Sequence, residues 1–161
     1  MVTVVTLGGC WMTRMSVLGW SHVGVSCSDL ERSTTFYERV LGFEQLFTME
    51  LGPDLVATME VDGRFYSRML RRGDMRLELL QWIDPAPTGD GERRPMLGLG
   101  LTHLAFRVEA HEPVFALVEQ HGGTVHRDTL SVIADGAVQL VYVTDPDGIR
   151  IELMVGTPDF S

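Results

Sequence analysis

Val138–Met154, VQLVYVTDPDGIRIELM, is the stretch on which the reading of the chain turns. It has the pattern of two strands joined by a tight turn. In Asp145-Pro146-Asp147-Gly148, proline presets φ, aspartate bonds its own backbone, and glycine tolerates positive φ. In the strand that follows, Ile149, Ile151 and Leu153 share one face, while Arg150, Glu152 and Met154 share the other. A carboxylate at Glu152, among apolar neighbours, is expensive unless something compensates it.

Upstream of this hairpin the second half of the chain runs as a strand over Gly100–Val108 and a helix opened by Glu112-Pro113 and ended by Gly122-Gly123. Strands are then expected at Thr124–Arg127, Leu130–Ile133, Val138–Thr144 and Ile149–Val155. The first half has the same order. Gly19–Ser26 reads as a strand. Ser28 is the expected N-cap of a helix, with Glu31 completing a capping box, and Gly42 ends that helix. Glu44–Glu50, Leu55–Val61, Arg64–Leu70 and Met75–Trp82 follow as strands. Both halves open on Leu-Gly-x-x-His, at Leu18–His22 and Leu99–His103. The distance from that histidine to the helix-ending glycine is 20 residues in each, His22 to Gly42 and His103 to Gly123.

The expected fold is therefore α+β: two βαβββ modules, 18–83 and 99–157, joined by a Pro- and Gly-rich linker, 84–98. Residues 1–17 are expected to be an N-terminal extension, with Met15 the natural start of the fold.

Composition narrows the function. The 161 residues carry a formal charge of −9, which argues against nucleic acid or an anionic membrane as partner. All 13 basic residues are arginines, so Schiff-base chemistry on a lysine is excluded. Two cysteines, Cys10 and Cys27, make neither a disulfide framework nor a cysteine zinc site, and a cytoplasmic location is expected. No apolar run reaches the length of a membrane span.

Four polar residues stand out on otherwise apolar strands: His22, Glu78, His103 and Glu152. Each faces away from its apolar neighbours, and Gly24 and Ala105 leave room beside the two histidines. Taken singly, a strand histidine or glutamate is ordinarily a surface or satisfied core residue. Two imidazoles and two carboxylates placed alike in two repeats suit a first-row divalent ion. His111, His121 and His126 lack this arrangement and read as helix-face or turn residues. Trp82, Phe65, Phe47 and Met59 suit either an apolar pocket or the core.

These residues resemble the vicinal oxygen chelate superfamily, which includes glyoxalase I, methylmalonyl-CoA epimerase, extradiol dioxygenases and bleomycin-resistance-type binding proteins. The matching pieces are Ser21–Gly24, Asp29–Ser33, Phe36–Phe43, Leu77-Glu78-Leu79, Thr102–Phe106, Asp145–Gly148 and Ile151-Glu152-Leu153. The resemblance implies sheets that curl into a metal-binding cup, commonly in a homodimer. It implies one divalent ion per site, nickel, cobalt, zinc, manganese or iron, held by His22, Glu78, His103 and Glu152. This ligand set is closest to bacterial glyoxalase I. The implied activity is that of a lyase or isomerase acting on a small oxygenated metabolite or thioester. In the chemistry the resemblance implies, the metal would stabilise an enediolate and a glutamate would move the proton, with Glu152 the first choice and Glu78 the second.

The resemblance also implies three alternatives: an epimerase-like isomerase, a non-enzymatic small-ligand binder, and an iron dioxygenase. Glutathione-using relatives carry an arginine where this chain has Ser26 and an asparagine where it has Trp82. Tyr142 stands at the dioxygenase tyrosine spacing and reads as a packing residue, while Ile133 sits near the place of the dioxygenases' additional histidine.

Overall fold

The computed structural model describes residues 17–158. The expected extension therefore lies, except for Val17, outside the described residues. The elements are β1 (Val23–Ser26), α1 (Leu30–Leu41), β2 (Glu44–Leu51), α2 (Pro53–Val56), β3 (Arg64–Arg72) and β4 (Met75–Asp84) in the first half. The second half contains β5 (Leu104–Arg107), α3 (His111–Gln120), β6 (Thr124–Ile133), β7 (Val138–Thr144) and β8 (Arg150–Val155). They form two separate four-stranded mixed sheets, ordered β1-β4-β3-β2 and β5-β8-β7-β6. In each sheet the first strand runs parallel to the last and the other pairs are antiparallel. The α+β repeat read from the sequence is thus present, and the sheets do not close on one another.

One face of each sheet packs into a single shared core. Val25, Leu70, Leu77 and Leu79 come from the first sheet, and Phe106, Val141, Val143, Ile151 and Leu153 from the second. Between them lie Phe36, Tyr37, Val40 and Leu41 of α1 with Phe115 and Val118 of α3. Because these faces converge on the helices, the opposite faces, which carry His22/Glu78 and His103/Glu152, point away from the core. Gly123 permits the packing: a Cβ there would sit 2.4 Å from the Thr144 carbonyl and 2.7 Å from the Phe36 ring.

The Asp145–Gly148 turn fastens the second half to the first. Asp145 Oδ1 accepts from the backbone of Asp147 (2.9 Å) and Ile149 (2.8 Å), closing the turn, and Oδ2 accepts from the buried Tyr37 hydroxyl at 3.0 Å. Asp147 accepts from Ser28 N (3.0 Å) and Arg32 Nη2 (2.7 Å), which places its charge at the positive end of the α1 dipole.

Four local expectations change. The opening strands are shorter than read, β1 starting at Val23 and β5 at Leu104, so His22 and His103 stand just before them. The α1 N-cap is Asp29, whose Oδ1 accepts from Arg32 N at 2.9 Å; Ser28 donates its hydroxyl to Asp147 instead. Gly42 ends the helix as expected, at φ 69°. Leu55–Val61 is not a strand. Pro53 opens the short helix α2, a 3₁₀ turn covers Ala57–Met59, and Val56 buries itself on the outward face of the first sheet. Thr124–Arg127 and Leu130–Ile133 are one strand, broken by a bulge between His126 and Ser131.

Candidate metal centre

Each outward face carries one His–Glu pair. His22 Nε2 lies 3.2 Å from Glu78 Oε2, and His103 Nε2 lies 3.4 Å from Glu152 Oε2. The pairs are built alike. The histidine stands just before the first strand of its sheet. The glutamate stands on the parallel last strand, in register with Gly24 in one case and Ala105 in the other. Those small residues leave the space through which imidazole reaches carboxylate. The other ring nitrogen is held by the preceding hydroxyl, Ser21 Oγ at 2.9 Å from His22 Nδ1 and Thr102 Oγ1 at 3.0 Å from His103 Nδ1. When that hydroxyl accepts from Nδ1–H, Nε2 carries the lone pair that a metal needs.

The two pairs differ in their surroundings. Glu78 Oε1 accepts from the buried Ser67 hydroxyl. Glu152 instead faces Tyr142 directly across the β7–β8 ladder. Burial, and then the negative charge of Glu152, push the Tyr142 phenol above its ordinary range. The Tyr142 ring also packs edge-on against His103, with centroids 5.7 Å apart, so its packing role holds. The carboxylate side chains are 18% (Glu78) and 12% (Glu152) exposed, sheltered from bulk water but not sealed.

Each pair has the spacing of a His–Glu ion pair, and the same spacing is compatible with two donors to one divalent ion. Two donors sharing one first-row ion at roughly 2.1 Å stand about 3.0–3.4 Å apart for octahedral to tetrahedral angles. The two observed separations, 3.2 and 3.4 Å, fall in that span. Each pair supplies one nitrogen and one oxygen, which is half of a four-donor set. Among the described residues no three His, Cys, Asp or Glu side chains converge on one point. The chain therefore brings His22 to Glu78 and His103 to Glu152, and does not bring the two pairs together.

The ground around the pairs is uneven. Beyond Glu78 the outward face turns apolar: Leu80, Phe65 and Trp82 cluster under Val56, with the Phe65 and Trp82 rings 4.9 Å apart. Phe47 and Met59, the other two aromatic or thioether candidates, are exposed. Between the edge strands β1 and β5 lies a cavity of about 490 Å³, lined by Gly24, Ser26, His103, Arg94 and Arg150 among others.

One neighbour of Tyr142 lies elsewhere than the sequence suggests. His126 is neither a turn nor a helix-face residue. It lies on β6 opposite Tyr142, in the same cross-strand row as Glu152, and its Nε2 is buried without a hydrogen-bond partner. Burial, with Arg93 nearby, lowers its pKa. The alternation that would have placed it is interrupted by the bulge after it. His111 opens α3 and bonds the Leu153 carbonyl at 3.2 Å, and His121 caps its end, so both are helix residues as read. Cys27 is 2% exposed, with its thiol pushed up to about 12 by burial, which makes it a poor nucleophile.

Comparison with known proteins agrees with this architecture. Residues 19–153 match the model of the Glyoxalase/Bleomycin resistance protein/Dioxygenase superfamily. A lactoylglutathione lyase of Escherichia coli O157:H7 is 28% identical over 133 residues, covering 83% of this chain and 89% of the relative. A glyoxalase family protein from Bacillus cereus superposes with a TM-score of 0.76 at 21% identity, over 89% of this chain and 97% of the other. A glyoxalase family protein from Enterococcus faecalis gives 0.60 at 29% identity, over 87% and 99%.

Proposed function

The chain belongs to the Glyoxalase/Bleomycin resistance protein/Dioxygenase superfamily, and on that premise we propose that it is a divalent-metal-dependent lyase or isomerase of the glyoxalase type. The modules of this reading are 18–83 and 99–157, with 84–98 between them. The observation that carries it is the pair of matched His–Glu corners, each with donor spacing suited to one shared ion and each incomplete alone. His22, Glu78, His103 and Glu152 are the proposed ligands.

A complete four-donor site needs a first-half corner to meet a second-half corner. Since one chain holds its two corners on faces turned away from a common core, each site takes His22 and Glu78 from one copy and His103 and Glu152 from a second. The surface leading to each corner suits such a partner: Trp20 is 76% exposed and Leu99 97% exposed.

When bound, the ion supplies Lewis acidity for the negative charge that develops on the substrate's oxygens. The remaining work falls to the side chains. Glu152 is the proposed base: it takes a proton from a carbon beside a carbonyl and returns it to the neighbouring carbon. Its position, less exposed than Glu78 and backed by the Tyr142 ring, limits loss of that proton to water. Glu78 is the second candidate. The substrate is a small oxygenated metabolite or its thioester. A lactoylglutathione lyase is among the chain's relatives. Ser26 offers no cation to a glutathione carboxylate, however, and Trp82 is engaged with Phe65.

Elemental analysis of untagged protein beside the Glu152→Gln variant tests this reading. About one divalent ion per chain, held more weakly in the variant, is expected. It should be accompanied by metal-dependent turnover of α-ketoaldehyde or thioester substrates, with the migrating proton largely retained when the reaction runs in D₂O. No bound ion in either protein after soaking with nickel, cobalt, zinc, manganese and iron overturns it.

A further inference from the structure

Arg150 is two residues before Glu152 and on the same face of β8, yet it is only 8% exposed. A buried guanidinium is costly, and its Nε is buried without a hydrogen-bond partner. Its other nitrogens are engaged: Nη2 donates to the Arg94 carbonyl at 2.7 Å, and Nη1 to the Met96 sulfur at 3.6 Å and the Thr102 carbonyl at 3.4 Å. The guanidinium carbon also stands over the Tyr142 ring, 5.6 Å from its centroid.

Both of these latter contacts lead to the same imidazole. Thr102 is the residue whose hydroxyl meets His103 Nδ1 at 3.0 Å. Tyr142 is the residue whose ring packs edge-on against His103 at 5.7 Å. We propose that Arg150 is a positioning residue for His103, setting the ring's orientation by holding the Thr102 backbone on one side and the Tyr142 ring on the other.

The repeat contains its own control. Arg76 stands two residues before Glu78, as Arg150 does before Glu152, but its Nη1 donates to Gly73 O (2.8 Å) and Met75 O (2.9 Å) within its own hairpin. The first corner thus relies on Ser21 and Ser67, whereas the second is braced from the connector through Arg94, Arg150 and Thr102. The planar fork matters here. A lysine keeps the charge but cannot address two carbonyls from one rigid plane while lying over an aromatic ring.

The test uses Arg150→Lys, Arg150→Met and, as control, Arg76→Lys, in full-length protein. Arg150→Met keeps an apolar stem of similar length without a buried charge, so it serves if the lysine variant does not fold. The first readout is the imidazole of His103 in metal-free protein labelled with ¹⁵N-histidine, its signals assigned with His103→Gln. One dominant tautomer is expected in the parent and in Arg76→Lys, and a mixed, exchanging ring in both Arg150 variants. The second readout is cobalt(II), and it rests on the proposed metal site. Affinity should fall about 10-fold or more in the Arg150 variants, with a changed visible spectrum, and be unchanged in Arg76→Lys. A parent that binds no cobalt refutes the metal reading, while the His103 spectra still decide the role of Arg150. A His103 ring unchanged in the Arg150 variants, or equally disturbed in Arg76→Lys, overturns the positioning role.

Discussion

Replacing Tyr37 by phenylalanine probes the joint between the two halves. The Tyr37 hydroxyl is fully buried and donates to Asp145 Oδ2 at 3.0 Å, and Asp145 is itself 3% exposed. Burial raises the Asp145 pKa to about 6, while the backbone bonds from Ile149 and Asp147 and the bond from Tyr37 pull it back. Because the folded pKa lies above the unfolded one, the favourable contribution of Asp145 is fully present below the unfolded value of 3.8 and is lost as pH rises through about 6. At pH 8 the carboxylate is charged, and the Tyr37 bond to it is worth roughly 1.5–3 kcal/mol. At pH 5 it is mostly protonated, and the bond is worth roughly 0.5–1.5 kcal/mol. The variant, lacking a bond that lowers the Asp145 pKa, carries the loss to still higher pH.

Tyr37→Phe should therefore cost more stability at pH 8 than at pH 5. At pH 8 the melting temperature should fall by about 3–12 °C, taking roughly 2–4 °C per kcal/mol for a domain of this size. Urea unfolding of parent and variant at both pH values, at one fixed protein concentration, measures the difference. An equal loss at the two pH values, or none at pH 8, refutes the charge-assisted bond.

Three further outcomes are expected. Phe36→Ala, at a residue with no exposure between the two sheets, should cost about 3–5 kcal/mol in denaturant unfolding, and a cost below about 1 kcal/mol would contradict the shared core. Glu152→Gln should lower activity on a cognate substrate by about 10²–10⁴-fold in a steady-state assay while the metal-free protein still folds, since glutamine keeps the shape of a side chain that is 12% exposed. In a Cys10→Ser background, Cys27 should stay unreactive to a thiol reagent at pH 8 until the protein unfolds, because its thiol is buried and its pKa is pushed up to about 12. Rapid stoichiometric labelling of the native protein would count against that burial.

The repeat was legible because its signals are local. Strand alternation around Glu78 and Glu152, the glycine ending α1, and the equal spacing of histidine and glycine need no knowledge of distant contacts. The misreadings each have a tertiary cause. Ser28 is a sound N-cap by local rules, but its hydroxyl is drawn to Asp147, 119 residues away, and Asp29 takes over. Leu55–Val61 alternates like a strand, yet Pro53 starts a turn of helix whose Val56 covers Phe65, Leu80 and Trp82. His126 was hidden by a bulge that breaks period two. Arg150, read as an outward strand residue, is buried because the backbone at Arg94, in the connector, and at Thr102, just before β5, folds over it. Residue spacing identified four candidate ligands, but which corner meets which depends on how whole sheets are turned, and no local pattern encodes that.

The most direct test of the account is complementation between two crippled proteins. One carries His22→Ala and Glu78→Gln, the other His103→Ala and Glu152→Gln, and each alone should bind no metal. If sites are shared between copies, unfolding and refolding an equal mixture restores one intact site in each mixed dimer. Statistical exchange then returns about a quarter of the parental metal content, since half the dimers are mixed and each has one of two sites. A mixture that refolds to mixed dimers and still binds no metal contradicts the shared site.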